Sequence, residues 1–107
     1  MADLLNEGIN FFNAGRFYDA HEAWEDLWRT SSGPVRLFYQ GLVQAAVAMH
    51  HLSAGNLGGA KSQFGKSLEK LQQYPQTFCD IDNGTLVANL RIKLAELKPG
   101  QFSISRL

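Results

Sequence analysis

Ala14-Gly15-Arg16-Phe17-Tyr18-Asp19-Ala20-His21-Glu22-Ala23-Trp24-Glu25-Asp26-Leu27-Trp28 decides the fold, because its spacing returns forty residues later. Ala14-Gly15, Phe17, Ala20, Trp24 and Trp28 recur in type as Ala54-Gly55, Leu57, Ala60, Phe64 and Leu68. Apolar residues at steps of three and four mark the buried stripe of a helix, and the glycine ahead of each stripe marks a turn from a preceding helix. Each unit therefore reads as two antiparallel helices joined by a glycine turn, with the small Ala20 or Ala60 where the pair approaches. The spacing loosely resembles tetratricopeptide-type hairpins, through Gly8, Ala20 and Trp24 in the first unit.

Outward from this stretch, punctuation sets the other elements. Leu4, Leu5, Ile9 and Phe12 form an amphipathic stripe before Asn13-Ala14-Gly15. Ser31-Ser32-Gly33-Pro34 is a turn that puts proline at the start of a third helix, and Gly55-Asn56 closes that helix and caps a fourth. Tyr74-Pro75 stops the fourth, and a loop through Cys79, with Asp82 or Asn83 as cap, leads to a last helix carrying Leu86, Leu90, Leu94 and Leu97. The expected fold is all-α: a compact antiparallel bundle of about five helices built from two helical hairpins, near residues 3–14, 17–30, 35–54, 57–73 and 84–97, in one domain over 1–107. No segment reads as a strand.

Composition narrows the function classes. Ten lysines and arginines balance ten aspartates and glutamates, so no global field draws the chain to nucleic acid or an anionic membrane, and neither is expected as a partner. The single cysteine, Cys79, excludes an intramolecular disulfide and a cysteine-built zinc cage. The N-terminal residues lack the basic and apolar regions of a signal peptide, and the apolar run Leu42 to Met49 is broken by Gln44, so a cytoplasmic protein is expected. The tail from Gln101 to Leu107 alternates apolar and polar residues after Pro99-Gly100 and should dock extended in a groove. Covering Phe102 and Ile104 in a chain of zero net charge leads to an expected homodimer, with docking on the chain's own core as the alternative.

Polar residues within the apolar pattern mark where function sits. On the second helix His21 falls inside the apolar arc, Glu25 on its border one turn later, and Glu22 further out. On the third, Gln40, Gln44, Val47 and His51 form a narrow stripe opposite the main apolar face, and His50 lies off it. The repeat supplies a control: His21, Glu22 and Glu25 correspond to Lys61, Ser62 and Gly65, so the hairpin itself does not require them. Trp24 and Trp28 are core residues by spacing, or walls of a pocket. Histidine and carboxylate suit two chemistries. His21, Glu25 and His51 could supply a nitrogen and oxygen ligand set for a divalent metal, or His21 tuned by Glu25 could move a proton while Gln40 and Gln44 orient a polar substrate.

The run Phe11-Phe12-Asn13-Ala14-Gly15-Arg16-Phe17-Tyr18-Asp19-Ala20-His21-Glu22-Ala23-Trp24-Glu25, followed by Gln40-Gly41-Leu42-Val43-Gln44 and His50-His51, resembles the small helical family catalogued as domain of unknown function 309. The resemblance covers roughly Asn6 to Tyr74 and leaves 75–107 outside. It implies an all-helical, bacterial- or archaeal-type cytosolic protein and points to His21, Glu22, Gln40, Gln44 and His51, while assigning no reaction. The reading that follows is a binding or scaffold domain with a polar pocket around His21, Glu25, Gln44 and His51, taking a small polar ligand or a protein partner. The alternative is a small metal-dependent or acid–base enzyme built on the same residues.

Overall fold

The computed structural model describes residues 3–107. Five helices carry the fold: α1 (Leu4–Asn13), α2 (Phe17–Arg29), α3 (Pro34–Ser53), α4 (Leu57–Leu71) and α5 (Asn83–Glu96). Side chains cap three of them, with Asp3, Asn56 and Asp82 accepting the backbone N–H three residues on at 3.0, 3.0 and 3.1 Å. This satisfies one of the orphan donors at each start. The Thr85 hydroxyl and backbone N–H together hold the Asp82 carboxyl below the usual carboxylate range.

The forty-residue echo extends to the backbone hydrogen bonds. Ala14, Gly15 and Arg16 donate to the carbonyls of Asn10, Phe12 and Phe11; Ala54, Gly55 and Asn56 donate to those of His50, Leu52 and His51. Gly15 and Gly55 hold φ of 79° and 80°, a left-handed conformation that a side chain would strain, which is why glycine closes both turns. Consecutive helices pack on one another in chain order, and α3 lies between α2 and α4.

Two close approaches fix this packing. Trp24 is fully buried, its indole N–H donating to the carbonyl of Leu5 at 3.2 Å, in a space that exists because Gly8 on α1 has no side chain. Gly41 does the same between α3 and α4: a Cβ there would stand 2.7 Å from Leu71 Cδ2, and the buried Ser67 hydroxyl donates to its carbonyl at 2.7 Å. The glycine of the Gln40-Gly41-Leu42-Val43-Gln44 motif is thus a packing residue. One contiguous core runs from Ile9 through Phe12, Trp24, Leu42 and Phe64 to Leu90 and Ile104.

Between α4 and α5 the structure departs from the expected loop. Two short antiparallel strands, β1 (Thr77–Phe78) and β2 (Ile81–Asp82), turn through Cys79 and Asp80, both at positive φ. That is the two-residue hairpin geometry usually supplied by asparagine and glycine. Phe78 anchors it against Phe38 and Tyr74, with ring centroids 4.8 and 4.7 Å apart. Burial pushes the neighbouring Tyr39 hydroxyl up to about 12, ahead of the effect of the adjacent Cys79 thiol, which burial also pushes up.

The tail docks extended, as its alternation predicts, but onto its own chain. Asn13 and Ile104 exchange two hydrogen bonds, the amide donating to the carbonyl at 3.0 Å and the Ile104 N–H donating back at 2.7 Å. Phe102 packs edge-on to Phe12, Asp82 donates its backbone N–H to the Ser105 carbonyl, and Arg106 donates to Asn6. Ile104 is buried and Phe102 half-buried, so the apolar tail gives no reason for a second copy. The expected homodimer loses the part of its argument that rested on the tail.

Candidate functional site

The face where α2 meets α3 gathers most of the polar residues marked by the sequence. His21 Nε2 lies 2.7 Å from Glu25 Oε2, and Glu25 Oε1 accepts from Arg29 at 2.8 Å. Arg29 also reaches Asp26 at 2.8 Å. A carboxylate only accepts, so the His21 proton sits on Nε2 when the ring is neutral, and Nδ1 carries a lone pair. The side chains of His21 and Glu25 are 23% and 31% exposed, so the pair sits at a partly sheltered rim.

Three small clefts run along this face. One of about 220 Å³ is lined by Glu25, Trp28, Gln40, Val43 and Gln44. A second, of about 160 Å³, is lined by Tyr18, His21, Val47 and His50, with the Tyr18 ring 5.6 and 5.8 Å from the two imidazoles. The third, of about 270 Å³, is formed on α2 by Tyr18, His21, Glu22, Glu25, Asp26 and Arg29. The Arg36 guanidinium lies 4.2 Å from the centre of the Trp28 ring.

Among the described residues, four buried side-chain polar atoms lack a hydrogen-bond partner: His21 Nδ1, Trp28 Nε1, Gln44 Oε1 and Asn83 Oδ1. Three of the four belong to this one face. A buried polar atom left unpaired costs about 1–3 kcal/mol, so their concentration here marks a surface not optimised for stability alone.

Two sequence readings are corrected by placement. His51 does not join His21 and Glu25. Its Nδ1 lies 3.2 Å from Asn56 Nδ2 and its ring lies over Gly59, at the turn into α4. The neighbouring His50, set aside by the sequence pattern, takes the place beside Tyr18 and His21. Residues adjacent on a helix point about 100° apart, and α3 has α2 on one side and α4 on the other. No three histidine, cysteine or acidic side chains converge on a metal-sized site among the described residues, so the His21, Glu25 and His51 ligand set is not assembled. Trp24 is in the core rather than at a cleft wall; Trp28 lines the first cleft. Val47, from the stripe read on the third helix, lines the second cleft, and Tyr18 and Val43 join the site without having been singled out. For Tyr18 the signal was an aromatic outside the apolar arc of α2.

This face lies within residues 5–63, and that stretch, more than half of the chain, matches the family described as "Domain of unknown function (DUF309)". The chain belongs to the DUF309 family. The match takes in α1 to α3 and the first half of α4, a shorter span than the Asn6 to Tyr74 read from the motifs. The DUF309 chain is also similar to an uncharacterized protein of Aquifex aeolicus (strain VF5), 32% identical over 90 residues. The alignment covers 83% of this chain and 27% of that relative, so the chain spans about a quarter of the relative's length. No helix among the described residues of the DUF309 domain is long and apolar enough to cross a membrane.

Proposed function

We propose that this DUF309 domain is a cytoplasmic binding or scaffold module whose α2–α3 face recognises a partner protein. The observation that carries the reading is the grouping of His21 Nδ1, Trp28 Nε1 and Gln44 Oε1, buried and unpartnered, on one face. Each cleft, at about 160–270 Å³, has room for a single side chain inserted from a neighbouring surface, and the clefts follow one another along the α2–α3 face as a protein contact would. Occurrence of a similar segment as about a quarter of a longer chain fits a module that works beside other protein segments.

The reading is tested by removing a polar group without changing its volume. Gln44→Met keeps the side-chain length and deletes the amide. If the amide awaits a partner, the variant gains about 1 kcal/mol of unfolding free energy in a urea titration. A loss of similar size would mean that Gln44 belongs to a structural network, and would count against a recognition face.

A second reading rests on the 2.7 Å His21–Glu25 contact, which would let His21 accept a proton at Nδ1 while Glu25 stabilises the imidazolium. It ranks lower because Tyr18 provides the only hydroxyl among the lining residues of the three clefts, and no thiol lines them. An acid–base pair without a nucleophile would need both reacting groups to come from bound substrates.

A further inference from the structure

This inference deepens the reading of the α2–α3 face and rests on it. The second and third clefts share Tyr18 and His21, so an apolar cup and an acidic rim are contiguous. The cup presents the rings of Tyr18, His21 and His50 with the Val47 side chain. The rim presents three carboxylates, Glu22, Glu25 and Asp26, against the single guanidinium of Arg29. Arg29 is committed to Glu25 and Asp26, and Glu22 has no ion-pair partner among the described residues.

We propose that this composite site takes a lysine side chain of a partner protein, its aliphatic stem in the Tyr18–His21–Val47–His50 cup and its ammonium at the Glu22 rim. Three features select this group together. The stem of lysine buries readily along apolar surface while its charged end reaches water or a carboxylate. A cation beside an aromatic face is attracted by the ring, and Tyr18 supplies such a face. His21 Nδ1 is an acceptor whose tautomer is fixed by Glu25, so it requires a donor, and the ammonium has three. Nδ1 is shielded from solvent. Contact with Nδ1 therefore requires Tyr18, 56% exposed and with its ring 5.6 Å from that of His21, to turn aside as the lysine enters. Lysine is favoured over arginine because its stem brings four methylenes to the apolar cup where arginine brings three, and Glu22 is the rim carboxylate that Arg29 does not hold.

The test uses the full chain, labelled with 15N, and three capped amino acids as probes: N-acetyl-lysine, N-acetyl-norleucine and N-acetyl-arginine N-methylamides, each titrated to about 50 mM. Capped lysine is expected to move the amide resonances of Tyr18, His21, Val47 and His50 with a dissociation constant of ~10 mM, the range set by one buried contact group. Capped norleucine and capped arginine are expected to bind at least about fivefold more weakly. Glu22→Gln, at an exposed position that the fold does not need, should weaken lysine about threefold and leave norleucine unchanged. Equal binding of norleucine or arginine, or an unchanged lysine titration in Glu22→Gln, overturns lysine recognition. So does the absence of shifts on this face at the highest concentration. The Gln44→Met stability measurement is independent of all three probes, so a gain in stability with a failed titration would retain the recognition face and discard its lysine ligand.

Discussion

Gly8→Ala is expected to destabilise the domain by about 3 kcal/mol, although alanine is intrinsically the better helix former by about 1 kcal/mol. A Cβ at residue 8 would stand inside the indole of Trp24, far closer than any real contact allows. Trp24 is fully buried with Phe12 beside it, so it cannot swing aside without moving the α1–α2 hairpin and breaking its bond to the Leu5 carbonyl. Overpacking and the lost hydrogen bond together outweigh the helix gain. Gly65→Ala is the matched control. It sits on α4 with nothing within 4 Å of the added Cβ, and should gain about 0.5–1 kcal/mol. Urea titration of both variants decides the point, and a stable Gly8→Ala protein would contradict the proposed cause of the hairpin geometry.

Ending the chain at Lys98 is expected to cost a similar amount, about 3 kcal/mol. The tail buries Ile104 fully and Phe102 in part, each worth roughly 1–3 kcal/mol, and makes a reciprocal amide pair with Asn13 worth about 1–2 kcal/mol more. Further hydrogen bonds, from the Asp82 N–H to the Ser105 carbonyl, from the Leu107 N–H to the Asp80 carbonyl and from Arg106 to Asn6, work with these contacts against the entropy of ordering the tail. The truncated chain should show a lower midpoint in thermal unfolding, with the helices retained in circular dichroism. An unchanged midpoint would mean that the tail does not hold its docked position.

What could be read from the sequence follows from how local its cause was. Helix limits were legible to within about two residues because each rests on a residue at the boundary: Asp82 as cap, Pro34 at the first turn, Gly15 and Gly55 at the ends. The β1–β2 hairpin was not legible. Its strands are two residues long and Cys79-Asp80 takes a conformation that neither residue favours, held by Phe78 packing on Phe38 and Tyr74. In the site, the His21–Glu25 pair was legible because residues four apart meet on one helix. The exchange of His51 for His50 was not, because it depends on which neighbouring helix lies to each side of α3. Trp24 and Trp28 share a spacing and differ in role because Gly8 makes room for the first alone.

The recognition face depends most directly on the state of His21. Long-range 1H–15N NMR of its imidazole, recorded on the free chain at a pH where the ring is neutral, reports which nitrogen holds the proton and whether the other accepts a hydrogen bond. The account predicts the Nε2–H tautomer, locked by Glu25, with Nδ1 an acceptor free of any donor. A proton on Nδ1, or an Nδ1 hydrogen-bonded within the chain, would contradict it.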